Sequence, residues 1–268
     1  MKTLILKIGG SVITKKELSA PALRVEIIEE IGRILKTHSD SKEIRLILIH
    51  GAGSFGHILA KRYSLQNGTK DHPEKIPQAL EVQESVTKLH TEIMRLFKAC
   101  NLPVQSFPTH QYITNDKGSI SQIETNPLKI ALDAGLIPVL YGDMIPDLTW
   151  GYSICSGDEI VAELSQIFSA ESVFFASDVD GIYTKDPHVF KDATRIPETT
   201  LQEIISGKIQ LDESHNTDVT GGLSKKFSLF KDSPALESIY LFNGLIPKNF
   251  EVLFQKRPLL GTHIQVKK

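Results

Sequence analysis

The segment that most constrains this chain is Ile44-Arg45-Leu46-Ile47-Leu48-Ile49-His50, which runs straight into Gly51-Ala52-Gly53-Ser54-Phe55-Gly56-His57. A short run of Ile and Leu suits a strand buried on both faces of a parallel sheet. Three glycines within six residues follow it. They let the backbone approach a ligand closely and aim N–H groups at it. Ligands of open parallel sheets bind at the carboxyl ends of the strands, where this loop falls. Residues 51–56 also match GxGxxG, the dinucleotide fingerprint. That reading needs a helix and then a second strand ending in an acidic residue about 20 positions on. Residues 61–70 are polar and carry no strand, so Asp71 and Glu74 have no strand end to occupy. The dinucleotide reading therefore fails its context test.

Two further glycine turns stand beside lysines. Leu4-Ile5-Leu6-Lys7-Ile8 reads as a strand followed at once by Gly9-Gly10-Ser11, with Lys15 and Lys16 just beyond. This is either a solvated strand end with an ordinary turn or a phosphate site made of backbone N–H groups and a cation. GxxxxGK[ST] is absent, so it is no Walker A loop. Thr220-Gly221-Gly222 opens a helix carrying Lys225 and Lys226 in its first turn. The helix dipole disfavours lysine there unless an anion offsets it. Ser156-Gly157-Asp158-Glu159 opens another helix. A capping box explains Ser156 and Glu159, and the dipole alone favours Asp158. The strand at 172–176 leads into Asp178-Val179-Asp180-Gly181-Ile182-Tyr183, which fits a turn, a metal site or a ribose site. Its spacing is wrong for an EF-hand.

Amphipathic helices are expected at 21–37, with Pro21 near the start, and at 77–100. In the second, Val82, Val86, Leu89 and Ile93 are either core or the wall of a groove for an apolar ligand. A strand is expected at 102–107. A helix capped by Asn126-Pro127 should end at Gly135, and a strand at 137–143 should lead into an irregular stretch through Trp150 that forms a hairpin over the sheet. Ser238 to Phe242 reads as the last core strand. Strands and helices alternate throughout, which predicts a three-layer α/β/α sandwich with a mainly parallel central sheet. The formal charge of −2 and the lack of a basic run speak against nucleic acid or an anionic membrane as partner. No apolar stretch reaches ~18 residues, so no membrane span is expected. The opening residues lack the pattern of a signal peptide, and a cytoplasmic location is expected. Cys100 and Cys155 have no metal spacing and read as reduced, inert thiols. Without secretion the Asn67-Gly68-Thr69 sequon carries no meaning. Glycine turns attended by lysines ask for a polyphosphate ligand.

Together Lys7-Ile8-Gly9-Gly10-Ser11, the loop at 51–56, Ser156-Gly157-Asp158, Asp178-Val179-Asp180-Gly181-Ile182-Tyr183 and Thr220-Gly221-Gly222 with Lys226 resemble the amino acid kinase superfamily over nearly the whole chain. Within it, Gly-x-Gly-Ser-Phe-Gly-His and Gly-Gly-Ser-Val-Ile-Thr-x-Lys are similar to the isopentenyl phosphate kinases. Ala52 departs from the frequent glycine, and Lys15 stands beside the expected Lys16. The resemblance implies ATP-dependent phosphorylation of isopentenyl phosphate, with Mg2+, in a homodimer. It implies an acceptor-binding lobe at about 1–155 and a nucleotide-binding lobe at about 156–268. His57 would bond the acceptor phosphate with the backbone of Ala52 and Gly157, and Val82, Val86 and Ile93 would line the prenyl groove. Lys7 and Lys226 would hold the nucleotide phosphates, Asp158 would orient both, and Lys16 would stabilise the transferring group. Gly9, Gly10, Ser11, Gly53 and Gly222 would approach the phosphates, and Asp178, Asp180, Gly181 and Tyr183 would shape the adenosine site. Two rivals remain: another small-molecule phosphokinase of the superfamily, acting on a phosphonate antibiotic or a nucleoside monophosphate, and a non-catalytic nucleotide-binding protein.

Overall fold

The computed structural model describes residues 1–15, 21–39, 43–185, 189–208, 222–254 and 260–266. Among them one eight-stranded sheet takes strands from both halves of the chain. These are β1 (Lys2–Ile8), β2 (Ile44–His50), β3 (Val104–Ser106), β4 (Ile137–Tyr141), β5 (Ser172–Ser177), β6 (Glu198–Thr200), β7 (Ser238–Asn243) and β8 (Gly261–Gln265). Their order is β6-β8-β7-β5-β1-β2-β4-β3. The six strands from β7 to β3 are mutually parallel. Only β8 and its parallel neighbour β6 run the other way. The sheet is thus mainly parallel, as the apolar runs require.

Side-chain alternation assigns the two layers. Leu4, Leu6 and Ile8 of β1 join Leu46 and Leu48 of β2 against α1 (Val25–Ser39) and α3 (Ile76–Ala99). Ile5, Ile47, Ile49 and Phe175 face the opposite way. They pack on α4 (Asn126–Asp133) and α5 (Gly157–Ile167). Each of these fully buried Ile or Leu side chains contributes about 1.5–3 kcal/mol. Lys7 follows Ile5 by two positions, so it shares the α5 side. Its register neighbours there are Ile49 and Phe175.

Three expectations are corrected. The first helix begins at Val25, not at residue 21. Ala22–Leu23 instead pairs antiparallel with Thr14–Lys15, and Arg24 N–H donates to the Ile13 carbonyl at 2.9 Å. Those backbone groups are satisfied across the ladder and need no helix. Second, β7 is not the last core strand. The short β8 adds to it antiparallel, with Thr262 and Ile264 buried. Third, the stretch after β4 is more regular than expected. Asp143–Asp147 pairs antiparallel with Gly151–Cys155 as the anticipated hairpin. It joins a second hairpin, Ile113–Asp116 with Ser119–Ile123, in a four-stranded sheet. Asp147 holds the corner together. Its carboxylate accepts from the N–H groups of Gly118 and Trp150, both at 2.7 Å. No helix among the described residues is long and apolar enough to cross a membrane.

Candidate active site

Because β1 and β2 are parallel neighbours with Ile8 opposite His50, their C-terminal loops leave the sheet side by side. Gly51 N–H donates to the Ile8 carbonyl at 2.9 Å, and Gly9 N–H donates to the Ala176 carbonyl at 2.8 Å. The loops then touch backbone to backbone. A Cβ added to Gly10 would stand 2.5 Å from both N and Cα of Gly53. Gly53 itself opens α2 (Gly53–Arg62) at φ +53, the left-handed region that glycine favours. Thr14 fastens the pair: its hydroxyl donates to the Gly10 carbonyl at 2.8 Å and accepts from Ser54 N–H at 3.1 Å. Thr14 falls within the Gly-Gly-Ser-Val-Ile-Thr-x-Lys motif, but nothing local in the sequence gives it this role, because the contact to Ser54 spans forty residues.

Below these loops lies a compact charge cluster. Asp158 Oδ1 stands 2.8 Å from Lys7 Nζ and 3.4 Å from Lys226 Nζ. The side chains are 11%, 16% and 19% exposed, so all three groups are largely withdrawn from water. Burial opposes the charge on Asp158, but Lys226 and Lys7 outweigh it and hold the carboxyl well below the usual range. Lys226 Nζ also lies 4.0 Å from the centre of the Phe175 ring. Asp158 is fixed by its helix. Ser156 Oγ accepts from Asp158 N–H and the Glu159 carboxylate accepts from Ser156 N–H, each at 3.2 Å. The capping box is therefore formed as read. A Cβ on Gly157 would sit 3.5 Å from Lys7 Cε, so this turn lies directly over the lysine stem.

The other predicted residues divide between places. Lys16, Thr220 and Gly221 lie outside the described residues. Gly222 begins α6 (Gly222–Ser228), which carries Lys226. Lys15 is exposed in the short strand beside Ala22. Ser11 is half-buried in the single turn Gly10–Ile13 after β1. His57 is exposed on α2, one residue past Gly56. Val82 and Val86 form a small cluster with Leu65, Tyr141 and Met144, against which Ala52 packs. A Cβ on Gly56 would lie 2.6 Å from Ala52 Cβ and 3.1 Å from Val86 Cγ2, so the glycine lets α2 settle on α3. Ile93 is not part of this wall. It and Leu89 are buried under the sheet with Leu6 and Leu48. Ile93 is eleven residues beyond Val82, about 16 Å along the helix at ~1.5 Å per residue.

Asp178, Asp180, Gly181 and Tyr183 follow β5 at its C-terminal end. Asp180 accepts from Asn243 Nδ2 at 2.9 Å, which joins this turn to the end of β7. Burial, with Asp180 second, raises the Tyr183 hydroxyl above its ordinary value. Neither Asn243 nor the buried pair His50 and His90 was singled out beforehand. Nothing in their spacing distinguishes them from a strand-end asparagine and two ordinary histidines.

Comparison with known proteins points to one family. Residues 2–230 match the amino acid kinase family model. The isopentenyl phosphate kinase of Methanothermobacter thermautotrophicus is 32% identical, over 98% of this chain and 97% of that one. That of Thermoplasma acidophilum is 33% identical, over 98% of this chain and all of that one. A solved structure described as isopentenyl phosphate kinase superposes with a TM-score of 0.82 at 28% identity, covering 98% of this chain and 100% of its own. The chain belongs to the amino acid kinase family, and within it to the isopentenyl phosphate kinases.

Proposed function

We propose that this chain transfers the terminal phosphoryl group of ATP to isopentenyl phosphate, giving isopentenyl diphosphate and ADP. The observation that carries the reading is the buried Lys7–Asp158–Lys226 cluster beside the paired glycine loops. Two cations largely withdrawn from water on one carboxylate leave a net positive charge, which a triphosphate offsets. A phosphate monoester has its second pKa near ~6 and is largely dianionic at neutral pH, so the acceptor needs no strong base. It needs its charge neutralised while its oxygen attacks the terminal phosphorus in line. The bond from that phosphorus to the bridging oxygen breaks, and ADP keeps the electron pair. Such transfer depends on positioning and electrostatics.

In this reading Lys7 and Lys226 grip the nucleotide phosphates and Asp158 sets their spacing. Gly9, Gly10, Ser11, Gly53 and Gly222 bring backbone close to them. Asp178, Asp180, Gly181 and Tyr183 shape the adenosine site, so the nucleotide lies over the C-terminal half. Lys16 stabilises the group in flight. His57, with the N–H groups of Ala52 and Gly157, holds the acceptor phosphate in the N-terminal half. Val82 and Val86 wall the prenyl tail. Among the described residues no three acidic, histidine or cysteine groups converge to hold a metal ion. A magnesium ion accompanying the nucleotide would take its ligands from phosphate oxygens and water rather than from a protein cage. A cytoplasmic homodimer belongs to the same reading. The exposed Ile130 and Ile167, on two helices covering one sheet face, are available to its contact.

The test is coupled ADP release with isopentenyl phosphate, a phosphonate and a nucleoside monophosphate, beside His57→Ala. Turnover with isopentenyl phosphate, reduced roughly 10²–10³-fold in the variant, is expected from the loss of one donor to the transferring centre. Preference for another acceptor, or full turnover in His57→Ala, refutes the reading.

A further inference from the structure

Beneath the glycine loop two buried histidines and a half-buried serine form a chain of polar groups that the chemistry above does not use. His50 Nδ1 stands 3.0 Å from the Gly51 carbonyl oxygen. A carbonyl only accepts, so Nδ1 carries the proton and donates. His50 Nε2 stands 3.0 Å from His90 Nδ1, and His90 Nε2 stands 2.7 Å from Ser106 Oγ. Burial pushes His50 down to about 4, and burial followed by the neighbouring His50 pushes His90 down to about 2. Both rings are therefore neutral at pH 7, with one proton each. Every direction then follows from the Gly51 carbonyl. His50 Nε2 accepts from His90 Nδ1–H, and His90 Nε2 accepts from the Ser106 hydroxyl.

The Gly51 carbonyl and the Ala52 N–H belong to one planar trans peptide and point in opposite directions. Holding the oxygen down on His50 aims that N–H away from the sheet end. Accepting a hydrogen bond at the oxygen also polarises the N–H, because chained bonds strengthen one another by about 10–30% each. Gly51 would otherwise leave this peptide free to rotate. Simple packing does not account for the arrangement. His50 and His90 are 2% and 3% exposed, and burying two imidazoles costs more than burying two aliphatic side chains. The rest of the strand interior, Leu46 to Ile49, is aliphatic and buried. The histidine occupies the position whose ring reaches the loop, with Tyr141 stacked on it at 5.2 Å between centroids.

We infer that Ser106, His90 and His50 form a hydrogen-bonded relay that aims and polarises the Ala52 N–H toward the acceptor phosphate. His50 and His90 are then positioning residues for phosphoryl transfer. The inference rests on the assignment of the acceptor to Ala52 and deepens it.

The experiment compares wild type, His50→Leu, His50→Asn, His90→Leu and Ser106→Ala. It uses steady-state kinetics with ATP and isopentenyl phosphate, and the amide resonance of Ala52 in isotopically labelled protein. In His50→Leu the Ala52 proton should move upfield before any ligand is added. The KM for isopentenyl phosphate should rise roughly five- to tenfold, the scale of one weakened hydrogen bond, while the KM for ATP stays put. His50→Asn, which returns a donor near Nδ1, should recover most of that loss. His90→Leu and Ser106→Ala should move the same resonance by successively smaller amounts. Where a leucine variant fails to fold, Ser106→Ala carries the test alone. An Ala52 resonance unchanged in His50→Leu or Ser106→Ala overturns the relay, as does an equal rise in both KM values. Wild-type protein that ignores isopentenyl phosphate refutes the acceptor assignment instead, because the ligand-free resonance reads the relay without substrate.

Discussion

Asp158→Asn should separate holding the nucleotide from aligning it. The amide matches the carboxylate in shape, and the capping box survives, since it uses only the N–H of residue 158 with Ser156 and Glu159. What is lost is one negative charge at 2.8 Å and 3.4 Å from two ammonium groups. At an effective dielectric of about 20 each contact is worth about 5–6 kcal/mol before desolvation. Desolvation removes much of that, and breaking a buried pair typically costs about 3–5 kcal/mol. Both lysines keep some contact with water, so about 2–3 kcal/mol is expected for the ligand-free protein. For a chain of this size that corresponds to roughly 4–10 °C in Tm. A bound nucleotide replaces the missing anion, so ADP should raise the Tm of the variant more than that of wild type. ATP affinity should hold or improve, because a carboxylate that repels the phosphates has gone. Turnover should fall roughly 10²–10³-fold, since the lysines lose the group that sets their spacing. Differential scanning fluorimetry with and without ADP, beside coupled kinetics, reads all of this. The pH dependence has the same origin. The folded Asp158 pKa lies below its unfolded value near ~3.9, so its stabilisation is present above that pH and is lost on further acidification. The variant should lack that part of the acid limb. Unchanged turnover in Asp158→Asn, or a destabilisation that ADP leaves untouched, would sink the argument.

Gly10→Ala should cost about 1–3 kcal/mol and most of the activity, because its Cβ would meet the Gly53 backbone at 2.5 Å and drive the loops apart. Urea unfolding and turnover check it, and wild-type behaviour in both would refute the backbone contact. Val86→Ala should extend the accepted prenyl phosphates to longer chains at small cost in rate. Ile93→Ala should leave the chain-length profile alone and destabilise by about 2–5 kcal/mol, as truncation inside a core does. A turnover panel over prenyl phosphates of increasing length decides between wall and core at both positions.

What could be read from the chain depended on how local the cause was. The capping box at Ser156 and Glu159 forms as expected because its partners are three residues apart. The side of the sheet that Lys7 occupies follows from strand alternation alone. Its meeting with Asp158 and Lys226 rested on resemblance, since no local rule links positions so distant in sequence. Helical periodicity identified the buried face of α3 but not the depth along its axis. It therefore grouped Ile93 with Val86, although the sheet takes one end of that face and the glycine loop the other. The extra strand β8 is short and half polar, with a pattern that only its pairing to β7 makes sense of. His50 shows the limit most clearly. In the sequence it is the last letter of an aliphatic run, and Gly51 draws attention away from it. Only the fold brings His90 within 3.0 Å and turns a strand end into the support of a loop. Residues that bind a phosphate leave a pattern because glycine and lysine are needed in number. Residues that aim those binders need only one partner each, so their identity emerges from contacts and not from spacing.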